Sequence, residues 1–261
     1  MKGNFVSSLR AKASSPLLSR IKRRVRSVIK RDSWIPVNSV RWGDFRRPQP
    51  VCQNFGFSRG KPIDRYYIES FLAAHAGDVC GRVLEIKDDG YTRRYGGSRV
   101  ERSDVLDYDG SNKAATIHGD LNDPKALESA VYDCAIVTQT LQYLIEPAKV
   151  LRHLHDSLKP GGVLLLTVPA ITAMRGRDPW YWNYTALGVE TLLGEVFGAA
   201  NVSVKSYGNL VSSIALLEGL SAGELKQSEL DLRDPTYQAL IVARAVQSRR
   251  SAVRPPLPEH R

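Results

Sequence analysis

Carboxylates at the ends of short apolar runs are the residues of this chain best suited to chemistry. Val83-Leu84-Glu85-Ile86 closes on an acid and leads into Lys87-Asp88-Asp89-Gly90-Tyr91. An apolar run followed by polar, glycine-containing sequence reads as a central parallel strand and its ligand-facing loop. Open α/β sheets bind ligands in the crevice past the carboxyl ends of their strands. Glu85, Lys87, Asp88 and Gly90 therefore lie on the floor of a crevice suited to a nucleotide-type ligand. Residues 100–107 form a second strand ending in the acids Asp104 and Asp107; residues 115–118 precede Gly119-Asp120-Leu121; residues 132–137 precede Thr138-Gln139-Thr140. Ahead of the crevice, Arg59, Arg65, Tyr66 and Tyr67 cluster, and a guanidinium fork there would grip a ligand carboxylate. Surface ion pairing is the plainer alternative. Asp64, His118, His153 and His155 are bases by residue type, and none is assigned as catalytic. His153 and His155, two apart on a helix, point to different faces and form no metal site. Trp180, Tyr181, Trp182 and Tyr184 would stack on a sugar or cover the crevice, or simply pack a loop.

Positioning these groups requires strands that alternate with helices. Residues 62–75 begin with Pro62, carry Asp64 in the first turn and repeat Ile63, Tyr67, Phe71 and His75 every four positions, a helix signal. A helix starts near Pro124. Another, 147–158, turns Val150, Leu151, Leu154 and Leu158 inward and is ended by Lys159-Pro160-Gly161-Gly162. Residues 163–168 are apolar throughout, hence a central strand. Helices at 185–197 and 210–225 flank strands at 202–207 and 237–245, which suit antiparallel edge pairing. The class is α/β: a right-handed, doubly wound, mostly parallel seven-stranded sheet of Rossmann-like form.

The net charge of +10 over 261 residues suggests nucleic acid until it is divided. Residues 1–31 hold ten Lys or Arg and no acid, residues 248–261 carry +3, and the remainder is −3. A protein gripping a phosphate backbone carries its excess on the folded surface, so no nucleic-acid partner is expected. The chain divides into a basic arm (1–31), an irregular lead-in (32–62), one domain (63–247) and a basic tail (248–261). In the arm, Leu17, Leu18, Ile21, Val25, Val28 and Ile29 form a helical stripe amid basic residues. That arm suits an anionic membrane surface or a solvated segment, and its Arg- and Ser-rich, acid-free composition also matches a transit peptide. No apolar run reaches the roughly 18 residues that span a bilayer. Three widely spaced cysteines speak against a disulfide framework or zinc site and suit a reducing, cytoplasmic compartment.

Val83-Leu84-Glu85-Ile86, the acid closing strand two, Gly119-Asp120-Leu121, Tyr132-Asp133-Cys134 and above all Leu158-Lys159-Pro160-Gly161-Gly162-Val163-Leu164 together resemble class I S-adenosylmethionine-dependent methyltransferases, over about residues 56–246. Residues 57–67 with 91–97 are similar to a bacterial subgroup associated with cell-surface glycan synthesis. The resemblance implies S-adenosylmethionine as cofactor and O-methylation of a small molecule, sugar or glycan. It implies that Glu85 organises the cofactor loop, Asp104 holds the ribose, Asp120 and Leu121 receive the adenine, and Gln139 lines the methionine end. After Ile86 the sequence departs from the family's Gly-x-Gly-x-Gly: Lys87, Asp89 and Tyr91 stand there, with only Gly90, out of register. That departure opens the alternative of a non-catalytic, partner-binding module.

Overall fold

Strand side chains point alternately to opposite faces of a sheet, and here both faces are apolar. The strands are β1 (Gly81–Ile86), β2 (Val100–Asp107), β3 (Ile117–His118), β4 (Tyr132–Thr138), β5 (Leu158–Pro169), β6 (Val202–Tyr207) and β7 (Leu240–Val246). The helices are α1 (Ile63–Ala74), α2 (Pro147–Ser157), α3 (Ala186–Phe197), α4 (Leu210–Leu217) and α5 (Gln227–Asp231). This computed structural model describes residue 35 and residues 39–174 and 179–248. The arm 1–31 and, beyond Ser248, the tail lie outside the described residues.

Val83, Cys134, Ile136, Leu165 and Val242 enter the core shared with α1 and α4. Their neighbours Leu84, Ala135, Val137, Leu166 and Ala243 enter the core shared with α2 and α3. Each fully buried Leu, Ile or Val side chain contributes about 1.5–3 kcal/mol, so the register cannot slip by one residue without turning both faces over. The sheet order is β3-β2-β1-β4-β5-β7-β6. Strands β1 to β5 pair parallel, and β7 runs antiparallel between β5 and β6. Winding therefore reverses between β1 and β4, which puts the ligand crevice at their carboxyl ends.

The chain divides into two compact units, Met1–Pro48 and Gln49–Arg261. The described part of the first holds a 3-10 turn, Gly43–Phe45. In the second, the lead-in is tied down before α1 begins: Cys52 N donates to Glu218 O at 3.0 Å and Ala222 N to Lys61 O at 2.8 Å.

Four elements differ from expectation, the first being the expected helix stop Lys159-Pro160-Gly161-Gly162, which lies inside β5. Residues 119–131 form turns instead of a helix, because the carboxylates of Asp120 and Asp123 take the N–H groups of Asn122 and Lys125 at 2.9 Å and so compete with helical bonds. The expected helix 210–225 stops at Leu217, where Gly219 adopts φ +68°. The crossover from β1 to β2 carries only a π-helical turn, Thr92–Gly96, and a 3-10 turn, Gly97–Arg99.

Candidate functional site

At the exit of β1, Glu85 turns inward and is 2% exposed. Its carboxylate accepts from the N–H groups of Tyr91 at 3.2 Å and Thr92 at 2.7 Å, so it holds the start of the π-helical turn that leads to β2. Burial pushes its pKa up to about 7, against those two N–H donors, which favour the charged form. The loop between is built on local carboxylates: Asp88 accepts from Gly90 N at 2.8 Å, and Asp89 pairs with Arg93 at 2.9 Å. Asp88 and Gly90 thus shape the loop.

Lys87 stands where the winding reverses and takes φ +78°, a conformation that glycine adopts freely and other residues rarely. The backbone enforces it: Lys87 N donates to Leu106 O, and Asn112 Nδ2 donates to Lys87 O, both at 2.8 Å. The loop after β1 is thereby fastened to the loop after β2. The Lys87 ammonium lies 3.5 Å from Asp107 Oδ1 and 3.2 Å from Asp109 Oδ1.

The acid that closes β2 is Asp107, with Oδ2 accepting from Asn112 N at 2.9 Å. Its Oδ1 is buried and has no hydrogen-bond partner. Asp104 lies three residues earlier and is taken by Arg82 at 2.6 Å, Arg102 at 3.0 Å and Thr116. Asp104 is thus a mid-strand carboxylate held by two guanidinium groups, and the acid at the carboxyl end of β2 is Asp107.

Leu121 is buried, and Asp120 beside it accepts from Asn122. Gln139 follows β4 at φ +49° and accepts through its backbone from Gln142 Nε2 at 2.9 Å. It shares a cavity of about 30 Å³ with Asp64, Thr172, Pro169 and Phe55. Burial raises the pKa of Asp64, against the nearby positive charge of Arg65. No local pattern announces that Asp64, on α1, and Gln139, seventy-five positions later, line one space. Arg59 is elsewhere: its guanidinium grips Glu224 through both Nε and a terminal nitrogen, the ion-pair alternative. Arg65 instead donates to Tyr91 Oη at 3.0 Å.

His153 binds Leu121 O and His155 packs on Phe197, so both have structural partners. Among the described residues no His, Cys, Asp and Glu group could hold a metal ion. Trp182 donates to Leu144 O and Tyr184 to Leu141 O. Together they line a groove of about 790 Å³ between the starts of α2 and α3.

A family described as a methyltransferase domain matches residues 51–192. No curated protein sequence matches the chain. Among solved structures, similarity extends to a SAM-dependent methyltransferase from Archaeoglobus fulgidus, at 12% identity and TM-score 0.49, covering 70% of this chain and 94% of that one. An S-adenosylmethionine-dependent methyltransferase from Mesorhizobium loti matches at 16% identity and TM-score 0.43, over 71% and 98%. An O-methyltransferase family protein from Burkholderia thailandensis matches at 12% identity and TM-score 0.46, over 71% and 56%.

Proposed function

We propose that this chain, which belongs to the methyltransferase-domain family, O-methylates a small molecule, sugar or glycan in the crevice at the carboxyl ends of β1, β2 and β4. A methyltransferase domain implies S-adenosylmethionine as its cofactor. One observation carries the reading: Asp107 Oδ1, at the end of β2 and beside the reversal of winding, is a buried acceptor whose nearest donor is the exposed Lys87 ammonium, 3.5 Å away. That contact is too long for a good hydrogen bond, and a ribose hydroxyl is a donor that would give the carboxylate a short one, worth about 1.5–3 kcal/mol to a charged group. The residues present fit the cofactor there. Asp107 would hold the ribose, Asp120 and Leu121 the adenine, and Gln139 the methionine end, while Glu85 orders the loop that carries Lys87.

When bound, S-adenosylmethionine supplies an electrophilic methyl group on a sulfonium. The protein's share is alignment and, for a hydroxyl acceptor, removal of a proton. Asp64 is the base that the geometry favours, because it faces the same space as Gln139 and burial raises its affinity for a proton. Trp182, exposed on the rim of the separate groove between α2 and α3, offers an aromatic face to a sugar-bearing acceptor. Residues 1–31 would rest on an anionic membrane surface and bring the domain to a surface-glycan substrate. Among the described residues no helix is long and apolar enough to cross a membrane.

Isothermal titration of the full chain with S-adenosylmethionine and S-adenosylhomocysteine tests the reading. Asp107→Asn should weaken both about 10- to 100-fold, the worth of a hydrogen bond to a charged group. No heat from the unaltered chain at millimolar ligand would favour the non-catalytic module instead. Sedimentation with anionic liposomes should be lost on replacing Arg23, Arg24 and Arg26 by Glu.

A further inference from the structure

The feature that the proposed function leaves unused is the ammonium of Lys87. Its charge sits 3.5 Å from the oxygen of Asp107 that would take the ribose. The two partners are unequally placed. The Asp107 side chain is fully buried, whereas that of Lys87 is 56% exposed and that of its other carboxylate partner, Asp109, 58% exposed. A long exposed side chain leaves a carboxylate readily, because exposed ion pairs are weak and screened. Asp107 cannot follow, since Asn112 N holds its other oxygen. The arrangement is a fixed acceptor with a detachable cation laid over it. The main chain at Lys87 keeps the φ of a glycine while carrying a side chain whose ammonium reaches Ser111, Asp109 and the acceptor Asp107.

We propose that Lys87 is an intramolecular competitor for the ribose acceptor, so that the cofactor binds only as the ammonium moves off Asp107, and that Lys87 thereby sets the affinity for adenosyl ligands. The inference rests on the S-adenosylmethionine reading above. Affinity for a ligand falls by the fraction of molecules whose site is open. A different mechanism, repulsion between the ammonium and the sulfonium, would weaken S-adenosylmethionine alone. S-Adenosylhomocysteine carries the same ribose and no sulfonium, and so separates the two.

The experiment is isothermal titration of both ligands into the full chain and into Lys87→Met and Lys87→Gly. Methionine keeps the length and the strained φ but not the charge; glycine removes both. Lys87→Met should tighten S-adenosylhomocysteine and S-adenosylmethionine alike, by about fivefold, as expected for release of one exposed ion pair. Lys87→Gly should bind at least as tightly as Lys87→Met. Binding by the unaltered chain that neither substitution strengthens overturns the competition while leaving the cofactor reading intact. Strengthening confined to S-adenosylmethionine overturns it in favour of charge repulsion. Absence of binding in all three chains removes the cofactor reading itself.

Discussion

Raising the pH from 5 to 8 should weaken this fold through a single side chain, Glu85. In the folded chain its pKa lies at about 7, because burial disfavours the carboxylate; in the unfolded chain it returns to the ordinary value near 4.5. The folded state therefore binds the proton more tightly than the unfolded state. Stability from that proton is fully present below about pH 4.5 and is lost as pH rises through 7. At 1.36 kcal/mol for each pH unit between the two values, the loss is about 3 kcal/mol, most of it between pH 5 and 8. Other groups titrate in this range, so the comparison is with Glu85→Gln, which keeps one acceptor for the loop N–H groups and cannot titrate. Urea unfolding of both chains at half-unit pH steps and constant ionic strength measures the difference. The unaltered chain should lose about 2–3 kcal/mol more than Glu85→Gln between pH 5 and 8. If the gap between the two chains stays the same across that range, Glu85 is not protonated in the fold and the burial argument is wrong.

Three other substitutions or measurements probe separate parts of the structure. Gly219→Ala would place a Cβ 2.2 Å from Cys52 O at φ +68°, so thermal melting should show a loss of about 2–4 kcal/mol from strain and overpacking; an unchanged melting temperature would mean that the lead-in is not held at this point. Arg82→Met strips Asp104, 1% exposed, of its half-buried partner and leaves the exposed Arg102 and the Thr116 hydroxyl. Urea titration should show a loss of about 2–4 kcal/mol, against less than about 0.5 kcal/mol for Lys149→Ala, whose pair with Glu146 is exposed. Thiol titration of the native chain should find Cys52 fastest, because the N–H of Asn54 lowers its pKa. Cys134, fully buried and raised by that burial, should react only on unfolding; prompt reaction of all three thiols would contradict the packing of β4.

The sheet was legible because its information is local and periodic. Residues 132–137 and 163–168 carry apolar residues on both faces, which only a strand covered on both sides requires, whereas Lys159-Pro160-Gly161-Gly162, expected to be the stop after α2, lies inside β5 where its register against β4 shifts. Helix boundaries were legible where proline and an acid coincide, as at Pro62 and Asp64. They failed at Pro124 and beyond Leu217, where carboxylates bonding to their own loop, or one glycine at positive φ, outweighed the apolar pattern. Both are choices that composition does not reveal.

The site divides along the same line. The order of apolar runs and acids was enough to place Glu85, Asp120 and Gln139 at strand ends, since each strand ends where its apolar run does. Which of Asp104 and Asp107 meets the crevice depended on the register of β2 against β1, and that Arg59 turns to Glu224 depended on a residue 165 positions away. That Asp64 faces Gln139, and that Lys87 lies over Asp107, are likewise products of packing between distant segments. Sequence determined which groups exist and on which strand each sits; the tertiary fold alone decided which carboxylates found a partner, because pairing is set by distances between segments that the chain's local pattern does not encode.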